Sequence, residues 1–530
     1  MDAVATCQVS ERAESRAGCE LKQRLRPKAV LRRPGRAQPG ASLGPRALHQ
    51  QLQFARSRFG LVCHRPMMPA QSRPRYPASV EVLDADLEWR LRQLVASTQR
   101  QRRLPSLVMV VQRSGLQLAT FAAGKADFKS GLAAEAGVQY RVGSITKTLT
   151  AVAVMRLAGQ GRIAVDDNLG RHWGGAPHPD LEIGRLLSHT AGLQREPVGE
   201  VWESLVLPSR EELPGNAAAA RRLYPGGSWW HYSNLGYALL GEVVARVAGE
   251  SWEEHIRRHI LEPLGMLRTS MEPQSPHARG YAVSPYSDEL IEEPAVDTKG
   301  VAPAAQIWST PSDLAIWSHF LNHGHPDVLG QAVLQEMRSL RVVADLDGWR
   351  LGWGLGLMLL RRGGRVYQGH TGSMPGFLAA CFGSPEADLG VAVVTNSTGS
   401  VRIGELAAQA LDILQEHASS VPWAPGAPVP EMVRPLLGRW WTEWSEWVFS
   451  WRDGALVSRA ADAPDGANWE RYEELGPDLY RCANGTERGE ELRVVRDSEG
   501  KVQKMYRATY PLTREPKPFG DPLQADRQSS

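Results

Sequence analysis

Ser144 and Lys147 stand three residues apart in "RVGSITKTLTAVAVMRLAGQG", residues 141–161, at the head of a run whose apolar spacing predicts a helix. On a helix, positions i and i+3 share a face about one turn apart, so the hydroxyl and the amine are close neighbours. Ser144 falls at the helix N-terminus, where unpaired N–H groups and partial positive charge can stabilise an oxyanion. The same field, together with burial, disfavours an ammonium ion and lowers the lysine pKa. A neutral Lys147 can then take the Ser144 proton and activate a nucleophile that is inert at its free pKa. The plainer reading makes Ser144 an N-cap. The pattern by itself does not choose, because Ser498–Lys501 repeats it in "RDSEGKV", a hairpin turn.

Two further elements change the balance. "HYSNLGYALLGEVV" places Tyr232, Ser233 and Asn234 just ahead of a second apolar helix, and it holds the chain's only Tyr-x-Asn. "QGHTGSMPG" places His370, Thr371 and Gly372 on a predicted edge strand, followed by Ser373. Ser-x-x-Lys, a Ser-Asp-Asn-type element and Lys-Thr-Gly are the signature of β-lactamases and penicillin-binding proteins. All three occur here in order, the middle one as Tyr-Ser-Asn and the last as His-Thr-Gly. With "LLSHTAGL", "YPGGSWWHYSNLGYALLG", "LEPLGMLRTS", "APAAQIWSTPSDLAIW" and "GHTGSMPGF", the chain resembles the serine hydrolases related to class C β-lactamases, esterases and D-stereospecific peptidases, over roughly 80–415.

The resemblance implies that Ser144 attacks a carbonyl carbon and forms an acyl-enzyme. It implies that Lys147 and Tyr232 share the proton work, a cationic neighbour drawing the phenol towards phenolate. Asn234 would hydrogen-bond either the substrate amide or the Lys147 amine. The oxyanion would sit between the backbone N–H groups of Ser144 and Ser373, with the substrate backbone pairing along the edge strand. Tyr232 would be the base in deacylation. No cofactor and no metal are expected. Against Lys-Thr-Gly, His370 is informative: a lysine there is a permanent cation suited to a carboxylate, whereas a histidine of ordinary pKa is mostly neutral at pH 7. That moves the expectation from a dedicated β-lactamase or carboxypeptidase towards an esterase, amidase or aminopeptidase acting on a small ester, amide or short peptide.

The elements that must hold these residues are legible as a pattern. Asp84 or Asp86 can cap a helix through "LEWRLRQLVASTQRQ". "SLVMVVQR" and "LQLATFAA" read as a hairpin turning at Ser114-Gly115. "RVYQGHTGS", "FLAACFGS" and "LGVAVVTNS" read as strands, and "IGELAAQALDILQEHA" as a closing helix. Strands at both ends with helices between them predict an α+β fold: an antiparallel sheet flanked by helices, with a helical insertion, of the β-lactamase/transpeptidase-like kind. The hydrolase domain is expected over 77–416 and a Pro-rich linker over 417–430. Alternating short strands over 431–520 predict a small all-β domain resembling a lipocalin-like barrel, followed by a tail at 521–530. Its five tryptophans between 440 and 451 either fill the barrel or line a pocket.

The overall charge of +3 misleads. Residues 1–66 carry thirteen Lys/Arg against four Asp/Glu, a local charge of +9; the totals of 61 and 58 then leave 48 basic and 54 acidic residues, so the remainder is about −6. The Arg- and Pro-rich stretch over 1–76 reads as a disordered extension, or as sequence ahead of a true start at Met67 or Met68, rather than a nucleic-acid arm or transit peptide. No apolar run is long enough to span a membrane, and no signal-peptide core follows either methionine, so the cytoplasm is the expected compartment, without nucleic-acid or membrane partners.

Several decoys fail on context. Gly40-Ala41-Ser42-Leu43-Gly44 matches a nucleophile elbow but lacks the preceding strand. His255 and His259 are one helical turn apart without the glutamate a zinc protease needs, and read as the wet edge of an amphipathic helix. The remaining rival from another class is a ligand sensor, acylated at the same serine and never released.

Overall fold

The structure, a computed structural model, describes residues 83–399, 401–419, 425–464 and 469–518. The 1–76 extension, the Gly40–Gly44 decoy, part of the 417–430 linker and the 521–530 tail lie outside the described residues. The chain divides into two compact units, Met1–Ser419 and Ser420–Ser530.

In the first unit, Asp84 opens helix Ala85–Gln101, its carboxylate accepting the Leu87 N–H at 2.8 Å. Leu87, Leu91 and Val95, four residues apart, form a buried stripe that packs in one core with Leu107 and Met109 of the sheet. Strands Ser106–Arg113 and Leu116–Gly124 form the expected hairpin. Ser114 and Gly115 both have positive φ, 53° and 78°, the turn conformation that matches strand twist. The closing strand Leu389–Thr395 pairs with Ser106–Arg113, so both ends of the unit complete one eight-stranded antiparallel sheet.

Strands Phe377–Ser384 and Leu389–Thr395 are buried along their whole length because both sheet faces are covered. Alternate residues serve opposite cores. Leu378, Ala380 and Phe382 join the core that includes helices Ala85–Gln101 and Ile403–Ser419, while Ala379 and Cys381 join the core of the helical insertion. That insertion carries helices Thr146–Gly159 and Asn234–Ala248, apolar on nearly every side and buried over most of their length.

The strand Arg365–Met374 corrects one expectation: it is not a sheet edge, being flanked by Phe377–Ser384 and Met358–Arg362. Its ten residues outrun the five of Met358–Arg362, and pairing on that side ends at Gly369 opposite Met358. His370–Met374 therefore runs past the end of that neighbour.

The second unit is an antiparallel meander of eight strands in chain order, from Gly438–Thr442 to Tyr510–Leu512. Reciprocal hydrogen bonds between Trp441 and Thr513 bring it nearly to closure as a barrel. Trp440 is wholly buried, Trp447 and Trp451 are partly buried against the same core, and Trp444 is exposed, so the tryptophan cluster fills the interior only in part. Ser498 and Lys501 sit in the turn between Glu491–Arg496 and Val502–Arg507, a structural use of the repeated pattern. Among the described residues no helix is long and apolar enough to cross a membrane.

Candidate active site

Ser144 lies in a 3-10 turn, Gly143–Ile145, that leads into helix Thr146–Gly159, and its side chain caps nothing there. It is half-buried among buried neighbours, which leaves its hydroxyl reachable. Lys147 follows one turn later and is fully buried, its Nζ 3.1 Å from Ser144 Oγ, 2.6 Å from Asn234 Oδ1 and 3.0 Å from the Ala304 carbonyl oxygen. Burial holds the Lys147 amine well below its ordinary pKa; the Glu196 charge opposes this shift and the Arg195 charge assists it. A neutral amine has two protons and one lone pair. Asn234 Oδ1 and Ala304 O can only accept, so they take both protons. The lone pair is left facing the Ser144 hydroxyl.

The Asn234 orientation is fixed from the other side, because its Nδ2 donates to Glu196 Oε1 at 2.7 Å. Asn234 begins helix Asn234–Ala248, whose N-cap Ser233 accepts the Gly236 N–H at 3.0 Å. Tyr232 directly precedes that cap, and the Lys147 amine lies 4.8 Å from its ring centre. Burial pushes the Tyr232 phenol up, and hydrogen bonding with Ser144 and the Arg195 charge only partly offset this. The expected shift towards phenolate is thus corrected: desolvation outweighs the nearby Arg195 cation, and the phenol is pushed up instead.

His370 is buried, its Nδ1 bonded to the Thr371 carbonyl, and burial pulls its pKa down to about 3, assisted by the Lys147 charge. It is neutral at any physiological pH. The Thr371 hydroxyl rests 3.6 Å from Met358 Sδ. Gly372 and Ser373 are brought to the nucleophile by the backbone. A methyl group on Gly372 would lie 1.8 Å from Val142 O and 3.1 Å from Ser144 N, and one on Gly143, at φ +51°, would lie 2.7 Å from Ser373 N. Glycine at both positions lets strand and turn approach this closely, which brings the backbones of Ser144 and Ser373 together. Gly372→Ala is expected to separate them and lower kcat by about 10²-fold or more, with the KM for a small ester changed far less. Steady-state kinetics check this, and an unaltered kcat removes the paired-amide geometry from the argument.

Four contributors carry no motif-assigned role. His189, within "LLSHTAGL", adopts φ +58° and stacks 4.2 Å from the Tyr232 ring, its Nδ1 accepting the Ser233 N–H at 3.1 Å. Trp353 closes on His189 and His370 at ring distances of 5.1 and 5.4 Å. Arg195 and Glu196 come from the loop after "LLSHTAGL", where charge without periodicity gives no sequence signal.

Residues 91–415 match the beta-lactamase family. The chain belongs to that family. Residues 429–514 match a domain of unknown function, DUF7586. Among relatives of this beta-lactamase-family chain is the D-alanyl-D-alanine-carboxypeptidase/endopeptidase AmpH of Escherichia coli, 24% identical over 305 residues, 53% of this chain and 77% of the relative. The esterase EstB of Burkholderia gladioli is 30% identical over 325 residues, 52% of this chain and 81% of the relative. Similar folds include the octameric penicillin-binding protein homologue from Pyrococcus abyssi, with TM-score 0.56, 22% identity and coverage of 81% of this chain and 100% of that one. The D-amino acid amidase from Ochrobactrum anthropi has TM-score 0.54 at 22% identity, covering 63% and 100%. As a member of the beta-lactamase family, the protein is a serine hydrolase.

The histidine pair outside the site corrects another expectation. His255 is buried, not wet, and both it and His259 bond Glu250 Oε1 at 2.9 Å. The donor atoms of Glu250, His255 and His259 lie within 4.8 Å of one another, as do those of His319, His323 and Asp388, so either trio has the ligand chemistry for a divalent cation. In the first, Arg258 Nη1 already pairs with Glu250 Oε2 at 3.1 Å.

Proposed function

We propose that the protein hydrolyses small esters or amides through a Ser144 acyl-enzyme, as an esterase, amidase or D-aminopeptidase-like enzyme rather than a dedicated β-lactamase. The observation that carries this reading is the Lys147 amine, 3.1 Å from Ser144 Oγ with both its protons directed to carbonyl acceptors. Lys147 takes the Ser144 proton as the oxygen attacks the carbonyl carbon. The amides of Ser144 and Ser373 hold the resulting oxyanion. The tetrahedral intermediate collapses with the Tyr232 phenol giving its proton to the leaving group, a role suited to a phenol that burial keeps protonated. The phenolate so formed beside the Lys147 ammonium takes a proton from water, and the hydroxide attacks the acyl carbon. Ser144 leaves with the Lys147 proton, which restores the starting state.

Neutral His370 in place of the lysine of Lys-Thr-Gly takes the permanent cation off this strand, which supports a site organised differently from that of a dedicated β-lactamase. The names of the relatives span the same range: a carboxypeptidase, an esterase and a D-amino acid amidase. A panel of short-chain p-nitrophenyl esters, D- and L-aminoacyl amides and nitrocefin tests the reading. The expected result is sustained turnover, with esters or aminoacyl amides ahead of nitrocefin. One stoichiometric burst without turnover makes the protein an acylated sensor instead, and nitrocefin as the fastest substrate makes it a β-lactamase.

A further inference from the structure

We infer that Arg195, in the insertion loop, recognises a substrate carboxylate beside the scissile bond and so selects anionic acyl donors or leaving groups. The inference rests on the hydrolase reading above.

The position is anchored. The Arg195 carbonyl accepts the N–H groups of Asn234 and Leu235 at 2.7 and 3.2 Å, which ties its backbone to the start of the helix that carries Asn234. From there the guanidinium carbon reaches a point 5.0 Å from the Tyr232 ring centre. The cation therefore lies over the ring of Tyr232, whose hydroxyl hydrogen-bonds Ser144.

Its charge is paired only loosely, in an ion pair with Glu196. The nearest carboxylate oxygen, Glu196 Oε1, is 3.5 Å from Arg195 Nε, longer than an ordinary hydrogen bond. That oxygen already accepts Asn234 Nδ2 at 2.7 Å. The Arg195 Nη atoms have no hydrogen-bond partner among the described residues, and the side chain is 37% exposed. A guanidinium fork left open in this way matches a carboxylate in two parallel hydrogen bonds.

Burial disfavours the other candidate cations of the site: it holds Lys147 and His189 well below their ordinary pKa values and pulls His370 down to about 3. The Arg195 charge, by contrast, acts on Lys147, His189, His231 and Tyr232 together. Loss of the lysine from Lys-Thr-Gly thus does not leave the site without a carboxylate anchor. The anchor comes from the insertion instead of the strand.

Two matched pairs of esters test this in the full chain. One pair places the charge on the acyl side, p-nitrophenyl hemiglutarate against p-nitrophenyl valerate. The other places it on the leaving group, 3-carboxyphenyl acetate against phenyl acetate. The quantity measured is the ratio of kcat/KM for the charged over the neutral ester. Arg195 also influences Lys147, so its loss affects both members of a pair, and the ratio cancels that common effect. Arg195→Ala is expected to lower the ratio by roughly ten- to hundredfold in at least one pair, with Arg195→Lys recovering part of it. Ratios within twofold of wild type in both pairs overturn the inference, as does an equal fall for charged and neutral esters. Either outcome leaves the hydrolase reading standing, whereas hydrolysis that survives in Ser144→Ala defeats the hydrolase reading itself.

Discussion

Ser144→Ala abolishes covalent labelling by a fluorophosphonate and lowers ester hydrolysis by roughly 10⁴-fold or more, to the rate the scaffold alone provides. The size of this effect follows from the surroundings of one oxygen. Ser144 is half-buried while the turn and helix around it are almost wholly buried, so its hydroxyl is the reactive group that a probe meets there. Its only assigned work is chemical, since the Gly143–Ile145 turn makes no side-chain cap bond through it. Removing the oxygen therefore leaves folding nearly untouched, and a melting temperature close to wild type is part of the expectation. Gel fluorescence after probe treatment, with melting measured on the same sample, decides the matter. Persistent labelling of a folded Ser144→Ala protein places the nucleophile elsewhere.

The three chemical motifs were legible because each is local. Ser144 with Lys147, Tyr232 with Asn234, and His370 with Ser373 each lie within one turn or one strand, where spacing dictates which groups are neighbours. The strand and helix periods at the two ends of the hydrolase unit were legible for the same reason, since Leu87, Leu91 and Val95 repeat at helical spacing and alternate residues of Phe377–Ser384 serve opposite cores. What stayed hidden depends on distant segments meeting. The Tyr232 phenol is raised by burial that His189, Trp230 and Trp353 help to create, residues gathered from separate loops and strands. The interior position of Arg365–Met374 depends on a five-residue neighbour too short to announce itself. Glu196 aligns Asn234, and through it Lys147, from a loop with no periodicity to mark it.

Lys147→Ala and Tyr232→Phe are expected to lower turnover by about 10³-fold and about 10²-fold respectively, within the range assigned to positioned proton transfer. The larger loss belongs to Lys147 because it is the base that takes the Ser144 proton, its Nζ 3.1 Å from Ser144 Oγ, whereas Tyr232 acts later, on the leaving group. The pH profile separates the two. Lys147 works as a neutral amine, so wild-type kcat/KM falls tenfold per unit as pH drops through its pKa, which burial holds well below 10.5. That acidic limb disappears in Lys147→Ala. His370, with its pKa pulled down to about 3, cannot produce the limb in its place. Lys147→Ala also leaves the buried Asn234 Oδ1 and Ala304 O without a donor, at a cost of about 1–3 kcal/mol, so its melting temperature should fall while cooperative unfolding survives. An added small primary amine that fits the vacated space restores part of the rate in Lys147→Ala and none in Tyr232→Phe, which isolates a missing base from general damage. Near-normal turnover in either variant, or an acidic limb that persists without Lys147, defeats the proton relay while leaving the nucleophile to be judged on its own labelling.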